Sequence, residues 1–314
     1  MKTSKYEIDM CNGSIMDKLI SFSLPLMLSS ILQLMFNAVD IIVVGRFSSS
    51  QALAAVGATS ALLNLMNGFF IGLSTGATVL LSQFYGAKNK QGVQDALHTG
   101  VALSLLLGAG ILRAMGDSRR PTIFLMAACG VNIVLDIVCV VVLKMGVTGA
   151  AIATVFSQVV SAGMVTVALL RQPEETRLSL KKIRFQGELL KRILYVGVPA
   201  GLQFVTFDLA NTLIQSGINS FGDVAVAAWT AYVKTDSLTW MISGAFGVSV
   251  TTFVGQNFGA QKYDRIRQSV WVCMGMSVAL TGAMSALVIA FRPVILGIYT
   301  TDPAGIRLGV YVMA

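Results

Sequence analysis

The residues best suited to chemistry are carboxylates that lie inside apolar stretches. Asp40 interrupts the run 24–46, LPLMLSSILQLMFNAVDIIVVGR, which is long enough to cross a bilayer. An ionised Asp at mid-membrane costs about 2.5–3.5 kcal/mol on insertion scales, so such a residue indicates a function. Gln33 and Asn37 precede it at helical spacing and share its face. We therefore predict that Asp40 binds a cation or takes up a proton.

A second carboxylate follows the same pattern. Asn132 and Asp136, in NIVLD, are one helical turn apart, and Thr154 lies on a polar face of the next apolar segment. Carboxylate, amide and hydroxyl oxygens suit a hard cation or a proton, and no soft-metal ligands accompany them. The alternative is that the neutral residues only join helices, since interhelical polar contacts are common and average about 0.6 kcal/mol. For Asp40 and Asp136 a functional role is favoured.

Three further ionisable residues form a second candidate site, Asp208, Lys234 and Asp236. Lys234 and Asp236 are two positions apart and do not share a helical face. Each could instead pair with a residue elsewhere, so function and structural pairing stay equal alternatives here.

Composition indicates an all-α polytopic membrane protein. The 314 residues are 55% hydrophobic and 12% charged, against about 25% charged in soluble domains. The net charge of +8 is spread over short basic clusters between apolar segments, as orientation signals are, and does not suggest nucleic-acid binding. No Walker A or GxGxxG motif is present, so ATP hydrolysis by this chain is not expected. We predict neither an enzyme nor a cofactor. The four cysteines have no zinc or disulfide spacing.

The chain consists of two similar halves. Gly86, in SQFYGAKN, lies 61 positions after Pro25, and Gly259, in GQNFGAQK, lies 60 positions after Pro199. Both copies end in a basic loop, which indicates a parallel internal repeat, and such repeats hold substrate between their lobes. We predict an N-terminal lobe at 1–171, a cytoplasmic linker at 172–189 and a C-terminal lobe at 190–314.

The basic loops alternate with non-basic ones, with one exception. Segment 93–112 has basic residues beyond both ends, which a single crossing cannot satisfy. It is therefore either re-entrant or adjoins a missing crossing. The second half is also shorter after its repeat than the first, so an incomplete C-terminal lobe is expected.

Four parts of the chain form a recognisable ordered set: LPLMLSSILQLMFNAVDIIVVGR, SQFYGAKN, GILRAMGDSRRP with NIVLD, and VTGAAIATVFSQ. Together they resemble the multidrug and toxic compound extrusion (MATE) family of secondary transporters, closest to its bacterial DinF-like branch. The resemblance implies two six-helix lobes and export of organic cations and other drugs against inward H⁺ or Na⁺. It implies that Asp40 is the coupling carboxylate, accompanied by Asn132, Asp136 and Thr154, and that Asp208 lies at an acidic seventh-helix position.

Against that pattern, 93–112 looks like the start of helix 3 joined to the end of helix 4, and the chain stops near the start of helix 10. The expected function is a multidrug efflux antiporter in the bacterial plasma membrane, acting as a monomer with a cytoplasmic N-terminus on drug-like or cationic small molecules. Two alternatives stay open. One is a lipid-linked oligosaccharide flippase of the same superfamily, for which Lys234 is the only basic cavity candidate, and the other is a non-transporting remnant or scaffold.

Overall fold

All regular secondary structure is helical in the residues that the structure, a computed structural model, describes: 6–47, 50–103, 108–179, 182–183, 186–299 and 303–312. Ten α-helices and one π-helical segment follow in order. They are α1 Ile15–Phe47, α2 Ser50–Gly86, α3 Lys90–Leu103, α4 Gly108–Ala114, α5 Arg119–Asp136, the π-helix Ile137–Val142, α6 Gly146–Leu170, α7 Gly187–Asn219, α8 Asp223–Gly259, α9 Tyr263–Tyr299 and α10 Pro303–Val312.

Seven stretches within the described helices are long and apolar enough to cross a membrane. They are Ile15–Phe36, Leu65–Gly86, Arg119–Val142, Gly146–Leu170, Gly187–Asn219, Val224–Gly259 and Tyr263–Gly297. The predicted all-α polytopic membrane class is therefore confirmed. Large apolar side chains on the outside of these helices, such as Leu213 and Val294, are exposed because lipid rather than water surrounds them.

The internal repeat is visible in the helices themselves. α1 and α7 each have 33 residues with an internal proline, Pro25 and Pro199, and α2 and α8 each have 37 residues. Both of the longer helices end in the same way. Lys88 and Gln261, each two positions after the last helical glycine, have positive φ angles of 55° and 57°.

The two described helices of segment 93–112, α3 and α4, run in opposite directions. Gly92 and Gly100 of α3 lie beside Phe84 and Ala77 of α2, so α3 runs antiparallel to α2. In α4, Gly110 lies beside Ser74 and Thr78, and the Ala114 carbonyl accepts a hydrogen bond from Ser82, so α4 runs parallel to α2. Val93 and Met115 accordingly share one buried cluster with Leu81 and Leu169. Both ends of the segment therefore reach the basic side, as the basic residues beyond each end require.

The glycines of α2 join the two halves of the molecule. A Cβ on Gly72 would stand 2.1 Å from the backbone nitrogen of Gly201, and one on Gly76 would stand 2.3 Å from the Ile193 carbonyl oxygen. Backbone approach this close requires glycine on the helix surface. Gly68, Gly72 and Gly76, which recur at every fourth position of α2, therefore all pack against α7 of the second half.

At the basic end, α2 meets α8 in a reciprocal contact. A Cβ on Gly86 would overlap the Gln256 carbonyl oxygen, and a Cβ on Gly259 would overlap the Gln83 carbonyl oxygen, both at 1.8 Å. These are the residues that correspond in the two repeats. The repeat therefore meets itself around a pseudo-two-fold axis at this end of the bundle.

Residues 6–14, here called the N-terminal strap, cover that same end. The Ile8 amide donates to the Gly116 carbonyl over 3.1 Å, and the Met10 carbonyl accepts from Asn257 Nδ2 over 3.0 Å. Lys262 Nζ donates to the Cys11 carbonyl over 2.8 Å. The strap thus connects the α4–α5 loop of the first half to the α8–α9 loop of the second.

Candidate cation-coupling site

The helix that carries Asn132 and Asp136 begins at a buried carboxylate. Asp117 Oδ1 accepts hydrogen bonds from the backbone amides of Arg119 and Arg120, each over 3.1 Å. Its other oxygen pairs with the Arg120 guanidinium. These contacts satisfy amides that a helix start leaves without partners. The GDSRRP motif therefore sets the position from which α5 rises toward the site.

Asn132 and Asp136 lie fully buried on α5. Neither the amide nitrogen nor the amide oxygen of Asn132 has a hydrogen-bond partner among the described residues. An unsatisfied buried amide costs about 1–3 kcal/mol. Such a cost marks a functional group as a ligand candidate, because a bound cation would satisfy the oxygen.

The α-helix changes to a π-helix immediately after Asp136. The π-helical segment covers Ile137–Val142, and the Met145 amide reaches back to the Cys139 carbonyl over 2.9 Å. Single π turns inside helices occur frequently at functional sites because they widen the turn and redirect side chains. Here the change in helix type follows directly on the candidate carboxylate.

One apolar cluster sets the relative heights of three helices. Val43 of α1 lies against Val140 of the π-helix and Ala150 of α6. Asp40 lies one helical turn from Val43, Asp136 one turn from Val140, and Thr154 one turn from Ala150. In all three cases the turn leads toward the basic end. The three predicted residues therefore occupy one level of the first half, on three helices that pack together.

The other predicted residues of this site are Thr154 on α6 and Gln33, Asn37 and Asp40 on α1. Thr154 is half-buried, and its hydroxyl donates to the Ala150 carbonyl over 2.9 Å. Gln33 is exposed on α1, on the part of that helix that leads up to Asp40. The backbone of α1 also passes through Asn37 and Asp40, whose side chains lie outside the described part of the chain.

The second candidate set does not form one site. Asp208 faces α2, where a Cβ on Gly68 would stand 3.3 Å from its Oδ2. Lys234 is exposed on α8. Asp236 instead lines a cavity of about 230 Å³ between α8 and α9, together with Tyr232, Thr235, Thr239, Ser285, Val288 and Ile289. Tyr232 and Thr239 share the helical face of Asp236 at i−4 and i+3, and Thr235 also lines the cavity.

His98 serves the packing of α3 rather than the site. Its Nδ1 lies 2.5 Å from the Gln94 carbonyl oxygen, and its Nε2 accepts the Ser179 amide over 3.0 Å. Both ring nitrogens are thus engaged by backbone. Across the described residues, no group of three or more His, Cys, Asp or Glu side chains could hold a metal ion.

A family model matches the chain twice. The MatE model covers residues 25–111 and 199–314, and the two matches begin at Pro25 and Pro199, the positions that start the two repeats. The chain belongs to the MatE family. MatE proteins are transporters and not enzymes. This chain is accordingly a multi-pass membrane protein of a transporter family, and its family resemblance is confirmed.

Among curated MatE proteins, the chain is 26% identical to "Probable multidrug resistance protein YoeA" of Bacillus subtilis (strain 168), over 90% of this chain and 73% of the relative. A solved MOP-superfamily transporter from Pyrococcus furiosus has a TM-score of 0.88 at 21% identity, covering 100% of this chain and 80% of the other. A multidrug resistance MATE transporter solved in an outward-facing conformation has a TM-score of 0.87 at 22% identity, with coverage of 100% and 80%. At these identities the structures establish the fold alone.

Proposed function

We propose that this MatE protein is a secondary antiporter that exports amphipathic, often cationic, small molecules and is driven by inward H⁺ or Na⁺. The observation that carries the proposal is that Asp40, Asp136 and Thr154 lie at one level of the first half. The unsatisfied amide of Asn132 lies one turn nearer the basic end than Asp136. These residues offer hard oxygen ligands only, and the protein belongs to a family of transporters. Binding of the ion requires no cofactor.

Coupling follows from the helices that meet at the site. A cation or proton at Asp136 changes the charge at the junction between an α-helix and a π-helix, a change of helix type that is frequent at functional sites. α1 carries Asp40, and the N-terminal part of α1 packs against α8, which belongs to the second half of the molecule. A change in how α1 sits on α5 would therefore reach the contact between the halves.

The contacts between α1 and α8 lie toward the basic end. Leu19, Phe22 and Leu26 form a buried cluster with Phe246 and Phe253. Farther along the same helices, Met35 and Trp240 are more than half exposed. We infer that the substrate pathway opens between the halves on the side away from the basic loops, which the positive-inside rule assigns to the cytoplasm. The N-terminus would then be cytoplasmic, in a monomer of the bacterial plasma membrane.

The test is gradient-driven efflux from proteoliposomes that contain the 314-residue chain. Ethidium efflux is measured under a pH gradient and, separately, under a Na⁺ gradient. Asp136→Asn should abolish the gradient-dependent part, because the amide cannot exchange a proton and binds a cation more weakly. Asp264→Asn, at an exposed position in the first turn of α9, is the matched control and should transport normally.

The gradient that drives efflux identifies the coupling ion. Full gradient-driven efflux by Asp136→Asn would disprove the coupling role. No efflux by the unaltered chain under either gradient would favour the non-transporting alternative, and movement of a lipid-linked oligosaccharide without a gradient would favour the flippase.

A further inference from the structure

A cavity lies along the packed surfaces of α2 and α7 near the basic end. The two helices cross closely at Gly72 and Gly76, and Leu80 packs with Leu189 and Ile193 beyond that crossing. This cleft has a volume of about 430 Å³. Its lining consists of Val79, Leu80 and Gln83 from α2, and Glu188, Lys191, Arg192, Tyr195 and Val196 from α7.

The rim of this cleft carries two cations. Lys191 and Arg192 are exposed, and neither has an ion-pair or hydrogen-bond partner within the described ranges 6–47, 50–103, 108–179, 182–183, 186–299 and 303–312. Glu188 stands one turn before Arg192 on the same rim. Two positive groups against one negative group leave the rim attractive to an anion.

The depth of the rim matches that of lipid headgroups. Lys191 lies four positions after Gly187, where α7 begins, which is about 6 Å along the helix axis. Tyr195, one turn deeper, is 83% exposed, and tyrosine is enriched at membrane interfaces. Farther from the basic end, the wall of the cleft is apolar and consists of Val79, Leu80 and Val196. The cleft thus changes from cationic to apolar in the direction in which a phospholipid does.

We propose that this cleft binds an anionic phospholipid, with its phosphate at Lys191 and Arg192 and an acyl chain along Val79, Leu80 and Val196. Basic clefts between membrane helices are suited to anionic headgroups. Because α2 belongs to the first half of the molecule and α7 to the second, the lipid contacts both halves at once. The site does not depend on the transport function, since it would bind lipid in an inactive chain as well.

Native mass spectrometry of the full chain, titrated with phosphatidylglycerol or phosphatidylcholine, tests the site. Phosphatidylglycerol should bind in preference. Lys191→Gln/Arg192→Gln should weaken that binding by about 25-fold, at about fivefold for each basic group near an anionic headgroup. The control is Arg171→Gln/Arg267→Gln, which removes the same charge from two exposed positions outside the cleft and should leave the binding within about twofold.

A third variant has the opposite expected sign. Glu188→Gln removes the only negative charge of the lining and should tighten phosphatidylglycerol binding, by about fivefold, which a folding defect cannot mimic. Equal weakening in the double variant and its control would overturn the proposal. Equal competition by soluble glycerol 3-phosphate would also overturn it, because the acyl chain would then contribute nothing and the site would be one for small phosphates.

Discussion

Asn132 combines full burial with an amide that no described group satisfies. In a purely structural role, the amide would be hydrogen-bonded, and its removal would destabilise the protein. In a ligand role, the amide lowers the stability of the protein when no cation is bound, and this loss of stability is kept because the site needs the ligand. The two roles therefore predict opposite effects on stability.

Asn132→Leu should keep or raise the melting temperature in detergent while gradient-driven efflux falls at least tenfold. Leucine fills a similar volume and removes an unsatisfied amide, which relieves about 1–3 kcal/mol. Differential scanning fluorimetry and the proteoliposome assay measure the two quantities. A clear drop in melting temperature would assign the amide to packing instead.

Cys11 offers a pH-dependent readout of the N-terminal strap. Burial raises the pKa of the Cys11 thiol above its ordinary value, and the neighbouring Asp9 raises it further. Since the thiolate is the reactive form, maleimide labelling at pH 7 should be slower than for a free thiol and should still rise past pH 9.

A variant with Cys129, Cys139 and Cys273 replaced by Ala isolates the Cys11 signal, and the same chain in SDS is the control. A labelling rate that levels off at the same pH in both states would mean that the strap does not shield the thiol.

Among the contacts between helices, the crossing of α2 and α7 is a close approach of backbone to backbone that joins the two halves of the molecule. Gly72 and Gly76 contact Gly201, Gly197 and Ile193 through backbone atoms, so the crossing has no side-chain layer to repack. Membrane helices associate mainly through such packing, because lipid offers no hydrophobic driving force. A single methyl group at this point must therefore separate the helices.

Gly72→Ala should lower the free energy of unfolding by about 1–3 kcal/mol, the usual cost of overpacking. Gly163→Ala is the matched control on α6, where nothing lies within 4 Å of the added Cβ. There alanine should be neutral or stabilising, since it is the better helix former. Thermal unfolding of both variants in one detergent measures the difference, and equal melting temperatures would argue against the close crossing.

At the scale of the whole molecule, the halves touch at the basic end. Ser23 of α1 and Ser249 of α8 are both buried, with their hydroxyl oxygens 2.7 Å apart. The reciprocal contacts of Gly86 and Gly259 lie at the same end. If the proposed antiporter works by alternating access between its two halves, these contacts must open in the other state of the cycle.

Ser23→Cys/Ser249→Cys should form a disulfide on oxidation with a membrane-permeant catalyst and stop efflux, and reduction should restore it. The side-chain atoms are already near enough for the S–S geometry. Each single cysteine variant is the control and should transport under oxidising conditions. Unchanged efflux from the cross-linked protein would show that the halves need not separate here.

The membrane class, the helical spans, the two repeats and the family followed from the order of the residues alone. Apolar length sets a span, and the repeated Pro, Gly and basic-loop pattern needs no third dimension to be recognised. The candidate pair Asn132 and Asp136 could be named for the same reason, because helical periodicity puts positions four apart on one face.

The tertiary structure decided what depends on contacts between distant segments. It turned 93–112 into two helices of opposite direction, and it gave the α2 glycines a partner in the other half. It also separated Asp208 from Asp236 and surrounded the latter with hydroxyl groups from two helices. Local sequence records which residues share a helix face, but which face meets which neighbour is settled only by packing the helices together.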